Sequence, residues 1–113
     1  MTEADWKAFR KMVPELRERY LKKRNAEIAE LLSSPGLTDT ERFWNTHEKI
    51  AQEAKLLQRC LDGHSRSRMV SYIYQMLADR VMEPRDLAVF SPEIRDRAKS
   101  WYDENIFRTD QSS

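Results

Sequence analysis

Between Leu32 and Glu41 the chain reads Ser33-Ser34-Pro35-Gly36-Leu37-Thr38-Asp39-Thr40, a stop signal followed at once by a start signal. Proline and glycine close whatever precedes them. Thr38 and Glu41 stand at the spacing of a capping box, in which each side chain satisfies the other's backbone amide at a helix start. Helical patterns lie on both sides. Upstream, Trp6, Phe9, Val13, Leu16 and Tyr20 step by three and four, and the pattern resumes at Ile28, Leu31 and Leu32. Downstream, Phe43, His47, Ile50, Ala54, Leu57 and Leu61 alternate steps of four and three, so they form one stripe. Two long helices joined by so short a connection must lie antiparallel.

The first helical pattern is interrupted by Pro14. A proline is tolerated in a helix's first turn and costly further in, so the reading favoured here ends a short helix near Val13 and starts a new one at Pro14. That leaves roughly 20 residues from Pro14 and more than about 20 in the next helix, rods of about 30–35 Å. The second ends at Asp62-Gly63, where glycine can take the left-handed cap conformation. A third helix is predicted after Ser65, carrying Met69, Val70, Ile73, Met76, Leu77 and Val81 up to Pro84. A short turn follows from Arg85 to Ala88. Ser91-Pro92-Glu93 then opens a last helix, with serine as cap and proline in the first turn. Its buried side is Ile94, Ala98, Trp101, Tyr102 and Ile106.

The expected architecture is therefore all-α: a single domain over residues 1–108, with a long antiparallel helical hairpin (3–62), a small helical head (65–107) and a disordered tail (109–113). Two glycines and four prolines in 113 residues are too few for a turn-rich β-fold. The head is too short to cover both rods, which leaves one apolar edge in water. Self-association into a dimeric helical bundle, one hairpin from each chain, is the economical remedy.

Function classes narrow by the same route. A net charge of +1 gives no global field for nucleic acid or for an anionic membrane. No run is apolar enough for a signal peptide or a membrane span, so a cytoplasmic location is expected. Cys60 is the only cysteine. Cys60, Asp62 and His64 offer at most three metal ligands where a closed zinc site takes four, so no metal and no cofactor are expected. Acids alternate with bases as on a solvated, ion-paired helix face. No catalytic residues are assigned, and an enzyme is not the expected reading. Arg66 and Arg68 oppose the dipole of the helix they begin; with Arg59 they form a candidate anion-binding group, which would serve the alternative of a small nucleic-acid-binding regulator. A second alternative is a structural subunit of a larger assembly.

Aromatic residues remain. Trp6, Phe43 and Trp101 read as core. Trp44, about 100° around its helix from Phe43, and Tyr72 and Tyr74 lie beside stripes, next to charge, as interface aromatics do. Trp44 is open to two uses, covering by a dimer mate or contact with a client protein.

Trp44-x-x-His47-Glu48 resembles the Trp-x-x-His-Asp signature of the fluorescence recovery proteins of cyanobacteria. The stretch RMVSYIYQMLADRVMEPRDLAVFSPE resembles that family's head region, with Arg85-Asp86-Leu87-Ala88-Val89-Phe90-Ser91 in place of a DDLxxLS-like segment. The likeness covers roughly Phe43 to Ile94. It implies a non-enzymatic, homodimeric regulator that binds the photoactivated orange carotenoid protein and speeds its relaxation. Under that resemblance Trp44, His47 and Glu48 sit on the functional helix surface and Tyr72 matches a head aromatic. The family's arginine falls at Ala54, with Lys55 as the neighbouring stand-in. The implied client is a carotenoid protein, or a different protein if the family member acts outside cyanobacteria.

Overall fold

The computed structural model describes residues 2–107. Four helices make up most of it: α1 (Glu3–Leu32), α2 (Asp39–Leu61), α3 (Met69–Ala78) and α4 (Pro92–Tyr102). Short 3-10 segments at Arg66–Arg68 and Pro84–Val89 join them, and a π turn, Asp103–Phe107, extends α4. There is no strand among the described residues, and the fold is all-α. The molecule measures 53 × 33 × 18 Å. Among the described residues no helix is long and apolar enough to cross a membrane. The expected tail from Thr109 to Ser113 lies outside the described residues.

α1 and α2 pack as the antiparallel hairpin, and the capping box at Thr38 and Glu41 is formed, with Thr38 Oγ1 accepting from the Glu41 amide at 3.1 Å. Gly63 takes its left-handed conformation at φ 70°. α1, however, does not restart at Pro14. It runs 30 residues straight through it. The head explains why. Pro14 points to solvent, while Phe9, Val13, Leu16 and Tyr20 bury one stripe that spans it. Upstream, the Ser91 amide and hydroxyl both donate to the Asp5 carboxylate at 2.7 Å. Downstream, Arg19 donates to both oxygens of Asp86, at 3.0 and 2.6 Å, and to the Val81 carbonyl at 3.3 Å. Anchors on either side hold the helix together across a missing amide, which local propensity cannot foresee.

The Asp5 clamp also changes the role of Ser91. It occupies the cap position of α4, but its hydroxyl makes no cap hydrogen bond because it is turned to Asp5. α3 is shorter than its apolar pattern predicts. It stops at Ala78, and Val81 and Met82 lie beyond it, their amides both donating to the Met76 carbonyl at 2.9 and 3.1 Å. Both side chains are still buried, so the pattern marks the core correctly and the helix end incorrectly. The core is the head-side half of the molecule: Phe9, Leu16, Cys60, Met69, Ile73, Met76 and their neighbours. Trp6 and Trp101 pack on its edge, half-buried. The other half of the hairpin projects from it as an arm.

Cys60 is fully buried at the junction, its thiol donating to Asp79 at 2.9 Å. Burial first, and the neighbouring carboxylate second, push the thiol up to about 12. His64 does not face it, since its Nε2 meets the Cys60 carbonyl at 2.7 Å. A thiol this protonated is expected to react with iodoacetamide at pH 8 about 10³-fold slower than a free cysteine. Mass-spectrometric labelling kinetics, with the urea-unfolded chain as reference, check this.

Candidate partner-binding surface

On the arm the two helices do not meet through an apolar seam. From α1 come Tyr20, Arg24 and Glu27; from α2 come Thr46, Lys49 and Glu53. Lys49 Nζ bridges Glu27 at 3.1 Å and Glu53 at 3.0 Å. Arg24 pairs with Glu27 at 2.9 Å and lies 3.8 Å from Glu53. The Tyr20 hydroxyl donates to Glu53, and the Arg24 guanidinium rests over the Tyr20 ring at 4.7 Å. Burial first, then the Glu53 carboxylate, raise the Tyr20 phenol to about 12. Hydrogen bonds from Arg24 and then Lys49 hold the Glu27 carboxyl low, and Glu53 followed by Glu27 hold the Lys49 ammonium high. Two polar atoms of the clasp, Arg24 Nε and Thr46 Oγ1, are nevertheless buried without a hydrogen-bond partner among the described residues.

This polar inner face overturns the predicted seam. Thr46, Lys49, Glu53, Leu57 and Cys60 lie on one side of α2 at helical spacing and face α1. Phe43, His47, Ile50 and Ala54 are turned roughly a quarter-turn away from that side. Phe43, expected in the core, is 59% exposed, and Ile50 is 49% exposed. The stripe rejoins the packed face only at Leu57 and Leu61, where the head begins. Trp44 points almost directly away from α1 and is 58% exposed. Its ring meets Phe43 edge to face at 5.0 Å and His47 at 5.6 Å, so three aromatic rings form one ladder on the outside of the arm. Glu48 and Lys55 are exposed on the same side as Trp44, and Glu48 accepts from Gln52 at 3.4 Å. Leu32 adds a fourth exposed apolar side chain near the arm's tip.

The other residues expected at a binding surface are used within the head. Tyr72 donates to the Gly63 carbonyl at 3.0 Å and packs on His64 at 4.6 Å. Tyr74 stacks on Trp101 at 4.8 Å and 11°. Neither meets the Trp44 ladder, which begins about 24 Å of helix from Cys60, where α2 enters the head. The arginines are engaged too. Arg59 pairs with Asp79 at 3.0 Å, and Arg66 pairs with Glu3 at 2.9 Å and lies over Trp6. Arg68 lies over the Tyr72 ring at 5.7 Å. Asp62 pairs not with Arg66 or Arg68 but with Arg17, at 3.8 Å. These contacts supply the local reason for basic residues in a first helical turn.

Sequence reasoning missed the clasp because alternating charge was read as a solvated face. The signal was available in the hairpin geometry. Glu27 and Lys49 stand at equal distances from Thr38, so antiparallel packing sets opposite charges face to face. Comparison of the chain with protein-family models, with curated proteins and with solved structures found no match.

Proposed function

We propose that this protein is a non-enzymatic regulator that acts by binding another protein, and its own second copy, through the outer face of the arm. One observation carries the reading: the arm is polar inside, while Phe43, Trp44 and Ile50 stand exposed on its outside. A monomer in water would favour the reverse, because burying Lys49 and Glu53 contributes little while exposed Phe43, Trp44 and Ile50 remain hydrated. An outward aromatic cluster rimmed by charge is the composition of a binding hot spot. Within this reading, regulation arises from tighter binding to one conformation of a client, which shifts its population or lowers its barrier. The fluorescence recovery proteins, which the Trp44-x-x-His47-Glu48 motif resembles, act in this way on the photoactivated orange carotenoid protein, and that protein is the first client to test.

Light scattering during size exclusion tests the self-association. The wild-type chain is expected to run as a dimer at micromolar concentration, and Trp44→Glu as a folded monomer with unchanged helical circular dichroism. Loss of a central tryptophan contact corresponds to about 30-fold or more in the dissociation constant. A dimer that survives the substitution would assign Trp44 to the client alone, and acceleration of the carotenoid protein's dark relaxation should then disappear in the variant. A monomeric wild-type chain that also leaves the relaxation rate unchanged would refute the proposal.

A further inference from the structure

The outside of α2 carries two unlike flanks. Successive residues turn about 100° around a helix, so Trp44 and Ala51 fall on one central strip. Phe43 and Ile50 stand on one side of it and Glu48 and Lys55 on the other, the two flanks about 140° apart. All six side chains are exposed. The charges of the second flank are uncommitted. Among the described residues Glu48 accepts only from the neutral Gln52, at 3.4 Å, and Lys55 makes no ion pair. On the inward side of the same helix, Lys49 and Glu53 are paired with each other and Lys49 also with Glu27.

Two copies of a helix can pair along such a strip in two directions. In a parallel pair each flank meets the partner's opposite flank, which would lay Phe43 and Ile50 against charge. In an antiparallel pair each flank meets its own copy, apolar on apolar and charged on charged. The charged flank must then be complementary to its own reverse, and it is. Glu48 stands three residues before Ala51 and Lys55 four residues after it. A two-fold axis beside Ala51 brings each Glu48 opposite the partner's Lys55. Alanine at that point offers little bulk where the helices come closest.

We infer that a second copy of this chain docks antiparallel along α2, about a two-fold axis beside Ala51, with two reciprocal Glu48–Lys55 ion pairs on one flank. This rests on the self-association proposed above and adds its direction and register. The occupant is a second copy because the flank is complementary to itself, a symmetry that a client of unrelated sequence does not require. The same contact covers Phe43, Trp44 and Ile50, which are the exposed large apolar side chains of α2.

Sedimentation equilibrium of Glu48→Lys, of Lys55→Glu and of their equimolar mixture tests the register, with circular dichroism confirming that each variant is folded. Either reversal alone sets like charges opposite each other at both pairs, and should weaken the dimer about tenfold. In the mixture, position 48 of each chain again faces an opposite charge at position 55 of the other. The mixed dimer should therefore return to within about threefold of the wild-type dissociation constant. Reversals that leave the dimer unchanged, or variants that stay weak when mixed, would overturn the register while self-association through Trp44 stood. A monomeric wild-type chain would give the face to a client and overturn the inference outright.

Discussion

Phe9→Ala is expected to destabilise the protein by about 3–5 kcal/mol and to lower Tm by about 15 °C or more. Phe9 is fully buried, stacked on Trp6 at 5.9 Å and edge-on to His64 at 5.0 Å. It stands where α1, the α2–α3 connection and the head meet. Alanine would leave a cavity that helix backbone on one side and rings on the other cannot collapse to fill. The loss should be global, because the same contacts anchor α1 upstream of Pro14. Urea denaturation followed by circular dichroism measures it. Trp44→Glu on the exposed arm provides the contrast, since a surface change of that kind should leave the single-chain unfolding transition within about 0.5 kcal/mol. A Phe9→Ala protein as stable as wild type would mean that the head does not hold α1.

Asp5→Ala should cost about 2–4 kcal/mol, a large effect for a residue at the beginning of the chain. Asp5 is 2% exposed, and its carboxylate accepts from the Ser91 amide, the Ser91 hydroxyl and the Thr2 amide. Removing it strands the Ser91 donors inside the head joint. Burial alone would raise its carboxyl, but the hydrogen bonds from Ser91 and Thr2 outweigh burial and hold it below its ordinary value of 3.8. Asp79 and Asp86 are held low against burial in the same way, by Cys60, Gln75 and Arg59 in one case and by Arg19 and the Glu83 amide in the other. A carboxyl lowered on folding binds fewer protons in the folded state, so the stability it contributes is full above its unfolded value and is lost as pH falls through the folded value. Stability should therefore fall steeply below about pH 4, and Asp5→Ala should show a shallower acid limb. At the alkaline end the sign reverses. Cys60 and Tyr20 are raised to about 12, so stability should decline from about pH 9 upward as both groups are forced to ionise on unfolding. Tm measured from pH 2.5 to 11 tests both limbs.

The arm carries a charged interior with an aromatic ladder outside, whereas the interior of the head is apolar.

The sequence by itself determined the hairpin, the head and their order, because those depend on local signals. The capping box at Thr38, the stop at Pro35-Gly36 and the left-handed Gly63 act within a few residues, and the same physics holds whatever the surroundings. It also identified the exposed Trp44 and the buried methionines and isoleucine of α3. It misjudged Pro14, the length of α3, the use of the Ser91 hydroxyl and the face of α2 that meets α1. Each of those was decided by a partner far along the chain: Asp5 and Asp86 for the continuity of α1 and the turn of Ser91, Glu27 and Arg24 for the orientation of α2. A hydrophobic stripe states which side chains avoid water, not which neighbour is present to cover them. On the arm the nearest neighbour of α2 is a line of opposite charges, and pairing Lys49 with Glu27 and Glu53 set the inward face. That left Phe43, Trp44 and Ile50 outside, a placement that only the tertiary structure decides.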